Sequence, residues 1–148
     1  MRSADEEVRD ANRQAQRFRR VRDAHQTELA EDYVELIADL IEQTGEARVV
    51  DLAGRLGVTN ATVNSTIQRL QRDGLVTSKP YRSIFLTEQG QTLAATSRER
   101  HRIVRDFLIA LGVDAETADA DAEGLEHHVS DATLDAFRSH LRKDRRAR

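Results

Sequence analysis

Glu123, Glu126 and His127 stand at i, i+3 and i+4 in the run Glu123-Gly124-Leu125-Glu126-His127-His128. On a helix that spacing puts two carboxylates and an imidazole on one face. Such a donor set can hold a divalent cation. His128 would point about 100 degrees away from His127, which gives it a supporting place rather than a ligand's. Two further groups could complete the site. His101 lies in Glu99-Arg100-His101-Arg102-Ile103-Val104, and Asp32 and Glu35 are three apart, flanked by Glu28 and Asp39. Each also has a plainer reading. Acidic triplets on helices are often merely solvated, His101 can be an ordinary half-buried histidine, and Asp32 and Glu35 can be surface acids.

The elements that must position these side chains are mostly helices. Periodicity starts near Thr27, which can serve as an N-cap, and continues through Leu29, Tyr33, Leu36, Ile37, Leu40 and Ile41 at steps of three and four. Gly45 ends that helix. A short helix follows over 49–56, with Val50, Ala53 and Leu56 inward, Gly57 as the turn and Val58 packed beneath it. Thr59 can cap a third helix that buries Val63, Ile67 and Leu70, with Gly74 at its C-terminal end. Leu75-Val76-Thr77-Ser78 and Ser83-Ile84-Phe85-Leu86-Thr87 read as two strands, with Lys79-Pro80-Tyr81-Arg82 as the hairpin tip. Short helix, tight glycine turn, helix and hairpin make a winged helix-turn-helix. Thr87 can cap the next helix, whose apolar residues Leu93, Ala94, Val104, Phe107, Leu108 and Leu111 exceed what one small winged helix can cover. Thr133 to Leu141, with Leu134 and Phe137, gives a final helix.

Composition narrows the class. The 148 residues can bury a core without disulfides. There is no Cys, no Trp, one Pro and one Met, which excludes a disulfide scaffold, a thiolate zinc site and cysteine catalysis. The absence of a long apolar run and of a secretory leader predicts a cytoplasmic protein. The net charge of −3 hides an asymmetry. Ten basic residues oppose five acids between Glu46 and Arg105, whereas nine acids and no Lys or Arg occupy Asp106 to Phe137. The first stretch suits a polyanion and the second suits cations. Arg13, Arg17, Arg19, Arg20 and Arg22 form a basic run before the first helix, and Arg142, Lys143, Arg145, Arg146 and Arg148 form another at the end. Both are expected to be mobile tails that bury little apolar surface.

The outward face of the third helix carries Asn60, Ala61, Thr62, Asn64, Ser65 and Gln68, beside the capping Thr59. Asn and Gln can read adenine at two points, and Ala or Thr can meet a thymine methyl. Arg69, Arg72, Lys79 and Arg82 are placed for phosphates.

At this point the residues carry a resemblance. Asp32-Tyr33-Val34-Glu35, the helix-turn-helix from Val50 to Leu75, Arg100-His101, and Asp121-Ala122-Glu123-Gly124-Leu125-Glu126-His127-His128 resemble the manganese transport regulators. These are a branch of the diphtheria-toxin-repressor family of metal-dependent winged-helix repressors. The resemblance runs from about Glu31 to about Phe137 and implies metal ligands at Asp32, Glu35, His101, Glu123, Glu126 and His127. It implies a mainly α fold with a small β-wing, in which a winged helix-turn-helix is followed by an all-helical dimerisation domain. The corresponding division is an Arg-rich extension at 1–26, a DNA-binding domain at 27–96 and a helical metal-binding and dimerisation domain at 97–148. The third, SH3-like domain of the iron-responsive branch is expected to be absent, and the Arg-rich extension has no role assigned by the resemblance.

Four carboxylates and two imidazoles form an oxygen-rich set that suits Mn2+ and tolerates Fe2+. The iron-responsive branch uses sulfur ligands where this chain has Asp32 and Glu123, which favours manganese. Four carboxylates carry more charge than one divalent ion neutralises, so two Mn2+ per subunit are expected. The expectation is a manganese-responsive homodimer that binds palindromic promoter DNA and represses manganese uptake genes. A Fe2+-responsive repressor and a winged helix sensing an organic ligand are the alternatives. A two-metal hydrolase is disfavoured, because no His-Glu-x-x-His run, phosphate loop or nucleophile motif is present.

Overall fold

A computed structural model describes residues 1–79 and 81–147. The first helix, α1, runs from Ala4 to Thr44, far longer than the periodicity from Thr27 predicts. Ser3 is its cap, with a reciprocal capping box to Glu6. Thr27 caps nothing, since its hydroxyl donates back to the Asp23 carbonyl inside the helix. The segment ahead of Thr27 is rich in Arg, Ala and Gln and contains neither Gly nor Pro, so it propagates a helix well. It buries almost nothing, with Val8, Phe18 and Val21 exposed, and so shows no apolar stripe. The two basic tails are thus helical rather than loose. The C-terminal one forms the end of α6, Asp131–Ala147. Arg148 and the hairpin residue Pro80 lie outside the described residues.

The helix-turn-helix follows the sequence reading closely. Helix α2 spans Val49–Leu56 and ends on Gly57, which adopts a left-handed φ of 67°. Helix α3 spans Asn60–Arg72 behind Thr59, whose side chain accepts the Thr62 N–H. Strands β1 (Val76–Thr77) and β2 (Phe85–Leu86) pair antiparallel, Val76 opposite Leu86 and Thr77 opposite Phe85. An added bridge joins Ala47 to Ile84. Three inward assignments fail: Leu29, Val50 and Val58 are exposed. In α2 the buried pair is Leu52 and Ala53, because the short helix docks on a face rotated from the predicted one.

Tyr33, Val34, Ile37 and Leu40 of α1 pack with Leu52, Val63, Ile67, Leu70, Val76 and Ile84 into the first core. Helix α4, Glu88–Ala110, starts at Thr87, which also donates to the Gly74 carbonyl. Its Gly90 lies against the Leu75 backbone so closely that an added Cβ would sit 2.0 Å from the Leu75 carbonyl oxygen. Ala94 belongs to the first core. Ile103 and Val104, three turns on, belong to a second core with Ala122 of α5 (Ala115–Leu125) and Leu134 of α6. Phe107 and Phe137 stack there with ring centroids 3.9 Å apart. One continuous helix therefore joins the two cores. Among the described residues no helix is long and apolar enough to cross a membrane.

Candidate metal centre and nucleic-acid interface

Three elements meet between the two cores. The side of α1 opposite its core face presents Glu28, Glu31, Asp32 and Glu35, which repeat at three- and four-residue steps. Helix α4 contributes His101. Helix α5 contributes Asp119 and Glu123 but ends at Leu125, so Glu126 is its C-cap and His127 and His128 lie in the following turn. The three-residue motif is therefore not wholly helical, though Glu126 keeps right-handed helical angles.

Arg100 holds that turn. Its Nε donates to the Glu126 carbonyl at 3.1 Å, Nη1 to Asp131 at 2.9 Å, and Nη2 to the Val129 carbonyl. Glu126, 1% exposed, thereby projects inward. One of its carboxylate oxygens is 2.9 Å from His101 Nδ1 and the other 3.2 Å from His127 Nε2. Glu123 approaches His101 Nδ1 at 3.4 Å, and Asp32 approaches His127 Nε2 at 3.2 Å. Glu126 thus belongs to the cluster His101–Glu123–Glu126, and its other oxygen reaches His127 of a second cluster, Glu28–Asp32–His127.

Both imidazoles are oriented from behind. His101 Nε2 faces Asp119 at 2.8 Å, and His127 Nδ1 faces Glu31. With those nitrogens donating to carboxylates, His101 Nδ1 and His127 Nε2 turn their lone pairs into the site. This is the usual way a protein fixes the tautomer of a metal-binding histidine. Neither Glu31 nor Asp119 was singled out from sequence, because α1 and α5 carry many acids at equivalent spacing. The requirement for a carboxylate behind each histidine was the available signal. Arg100 stands in the sequence as a basic residue beside His101 in the resemblance, with nothing to mark it as the support of the turn.

Among the described residues, six buried side-chain N or O atoms lack a hydrogen-bond partner: Glu35 Oε1, Ser97 Oγ, His101 Nδ1, both oxygens of Glu126 and His127 Nε2. Five belong to four of the predicted ligands. Buried polar atoms normally find partners, and leaving them bare costs about 1–3 kcal/mol each. The histidine and Glu126 atoms are close together yet not aligned as hydrogen bonds, as expected of donors that converge on a shared cation. The residues present fit a hard divalent metal, with Asp32 and Glu123 on the open side (side chains 41% and 62% exposed).

The electrostatics agree. Desolvation, then the nearby Glu35 charge, pushes Glu126 from 4.5 up to about 8, against the pull of His101 and His127. Burial alone would lower His127, but the carboxylates of Asp32 and Glu31 outweigh it and raise the imidazole to about 10. Glu35 is raised chiefly by desolvation, opposed by the Ser97 hydroxyl and reinforced by Glu123. Burial also opposes protonation of His101, yet Asp119 and Glu126 raise it overall. Negative charge is in excess, and protons stand in for a cation.

The nucleic-acid face is separate. Asn60, Ala61, Thr62, Asn64, Ser65 and Gln68 are exposed on α3, as are Arg72, Lys79 and Arg82, with Arg69 half-buried. A groove of about 690 Å³ runs between α3 and the wing, lined by Asn60, Asn64, Gln68, Lys79 and Arg82 among others. Thr59 and Thr62 are engaged with each other at the cap, 3.0 Å between hydroxyls. Arg48, Gln71 and the fully exposed Tyr81 also line the groove and were not predicted. Gln71 ties α3 to the wing by donating to the Ser78 carbonyl at 3.3 Å.

Fold and site together define a class: a winged-helix unit joined to a helical unit through a metal-type cluster. The family model described as the N-terminal DNA-binding domain of the iron-dependent repressors matches residues 25–84, and that of their metal-binding and dimerisation domain matches residues 87–146. The transcriptional regulator MntR of Escherichia coli O6:H1 is 57% identical over 126 residues, 85% of this chain and 81% of the relative. The HTH-type transcriptional regulator MntR of Bacillus subtilis is 39% identical over 105 residues, 71% of this chain and 74% of the relative. A solved manganese-dependent transcriptional repressor in complex with manganese superposes with a TM-score of 0.68 at 32% identity, covering 76% of this chain and 52% of the other. The manganese regulator SloR gives 0.66 at 29% identity, covering 76% and 53%. The chain spans about half the length of these two solved chains. The chain belongs to the iron-dependent repressor family, among the MntR transcriptional regulators.

Proposed function

We propose that this protein is a manganese-responsive transcriptional repressor that binds palindromic promoter DNA as a homodimer in the cytoplasm and shuts off manganese uptake genes. The observation that carries the proposal is the convergence of buried, unpartnered atoms of His101, Glu126 and His127 at one place between two cores. Asp32, Glu35, His101, Glu123, Glu126 and His127 are the proposed ligands. Glu126 belongs to one cluster and touches His127 of the other, which favours two ions per subunit, and the hard donor set favours Mn2+. Bound metal would supply positive charge that neutralises the clustered carboxylates and links α1 to the C-terminal unit.

The chain's own residues convey that link to DNA. Asp32 and Glu35 share α1 with Tyr33, Val34 and Ile37, which pack in the core beneath α3. Fixing the polar side of α1 against the turn held by Arg100 therefore fixes the direction in which α3 and the wing face. In a dimer this sets the spacing of two recognition helices. Exposed Ile109, Leu111 and Leu125 beside the second core are surface such a dimer would cover. The working boundary between the units is 96/97, within α4. Asn60, Asn64 and Gln68 are the proposed base contacts, Ala61, Thr62 and Ser65 flank them, and Thr59 holds the cap. Arg69, Arg72, Lys79 and Arg82 meet phosphates.

Selection of genomic fragments by chelator-stripped protein, at fixed salt, tests this reading. Enrichment of a palindrome only with Mn2+ supports it. Enrichment only with anaerobic Fe2+ replaces the metal, and enrichment irrespective of metal overturns the regulatory role of the centre.

A further inference from the structure

A third group of donors lies beside the centre; it shares Glu28 with the Glu28–Asp32–His127 cluster but none of the centre's histidines. His25 Nδ1 is 3.5 Å from a Glu28 carboxylate oxygen, and His128 Nε2 is 3.3 Å from that same oxygen. All three donor atoms lie within 4.8 Å of one another. The histidine rings meet edge to face, centroids 5.6 Å apart. His25 and Glu28 sit one turn apart on α1, while His128 comes from the turn after α5. The grouping is thus a product of the tertiary fold, built across about a hundred residues of chain.

The geometry points to an adjoining zinc-type site made by His25, Glu28 and His128, which shares Glu28 with the Glu28–Asp32–His127 cluster. A tetrahedral zinc with bonds of about 2.1 Å has ligand-to-ligand edges of about 3.4 Å. Both edges through Glu28 match this, at 3.5 and 3.3 Å. Two imidazoles and one carboxylate are a typical three-residue zinc set, with water in the fourth position. The partial exposure of His25 and His128, 64% and 40% of their side chains, leaves that position open. The proposed manganese ligands form a different kind of set, dominated by carboxylates, and softer late divalent ions favour imidazole. The two places should therefore sort metals by ligand type.

Occupancy would have a structural consequence. His25 is where the exposed extension of α1 meets its packed part, and His128 adjoins the turn that carries Glu126 and His127. A zinc ion there pins the base of the Arg-rich stretch from Arg13 to Arg22 to the C-terminal unit.

Cobalt(II) is the probe, because a four-coordinate cobalt site absorbs visible light far more intensely than a six-coordinate one. Metal-free wild type, His25→Ala and Glu126→Gln are titrated with Co2+, and zinc stoichiometry is then measured by equilibrium dialysis. The intense band is expected in wild type and in Glu126→Gln, and it is lost in His25→Ala. That variant also binds one fewer Zn2+ per protomer and keeps its Mn2+-dependent DNA binding. His25 is exposed, so its removal leaves the fold intact. Absence of the band from wild type, or its survival in His25→Ala, overturns the zinc site. A band lost only in Glu126→Gln would assign tetrahedral metal to the principal centre, which overturns this inference and leaves the proposed regulatory function standing.

Discussion

Glu126→Gln should stabilise the metal-free protein while abolishing its response to metal. In the fold, Glu126 is 1% exposed, both its oxygens lack hydrogen bonds, and its pKa is raised from 4.5 to about 8. A carboxyl whose folded pKa is raised binds more protons folded than unfolded between those two values. Its presence therefore costs stability progressively as pH climbs from about 4.5 to about 8. The rise from 4.5 to about 8 corresponds to about 5 kcal/mol when complete. Glutamine has nearly the same volume and no charge, so it removes that cost. Its own unpaired amide returns about 1–3 kcal/mol, and a less strongly held His127 proton returns some more. The net expectation at pH 8 is a gain on the order of 2 kcal/mol, a rise in Tm of roughly 6 °C for a domain of this size. At pH 5 the charge costs under about 1 kcal/mol, so the unpaired amide should leave the variant slightly less stable than wild type. Thermal unfolding in chelator at both pH values reads it directly. Saturating Mn2+ should then stabilise wild type by about 2.7 kcal/mol at a hundred times Kd, seen as a higher Tm, and leave the variant unmoved. A variant less stable than wild type at pH 8 in chelator would refute the claim that Glu126 is an uncompensated buried acid.

Other outcomes follow from the same geometry. Mn2+ affinity should rise with pH between 6 and 8, by up to about a hundredfold per unit if protons leave both Glu126 and His127. Calorimetry in buffers of different ionisation enthalpy counts those protons, and zero release would contradict the pKa directions. Arg100→Gln removes the support of the Glu126–Val129 turn and should weaken Mn2+ binding by about tenfold or more, read as free Mn2+ by electron paramagnetic resonance. Lys79→Ala should weaken DNA binding evenly across sequences and reduce the salt-dependence slope by about one, whereas Gln68→Ala should relax preference at one base pair. Equal salt slopes for wild type and Lys79→Ala would remove that lysine from the interface.

The winged helix was legible in the sequence because each boundary carries a chemical mark. Thr59 and Thr87 cap, Gly57 turns, and the apolar residues of α3 repeat on a buried face. The first half of α1 carries only the Ser3–Glu6 capping box at its start and no apolar face. Its side chains face solvent on all sides, so helix propensity alone forms it and no periodicity announces it. Thr27 sits at the point where burial begins, which is why it resembles a start. In the metal centre the spacing of Glu123, Glu126 and His127 and the acids of α1 were legible. Their supports were not. Glu31, Asp119 and Arg100 depend on which of many like-charged neighbours the packing of α4 brings opposite each histidine and turn. The cluster of His25, Glu28 and His128 joins residues too far apart in sequence for spacing to reveal.

The most direct test of the account is the affinity of metal-stripped protein for its selected DNA, measured at one salt concentration without metal and with saturating Mn2+. Metal that holds α1 against the C-terminal unit should tighten DNA binding by at least tenfold, and DNA should tighten Mn2+ binding by the same factor. Equal DNA affinity in the two states would show that the centre does not control the recognition helices.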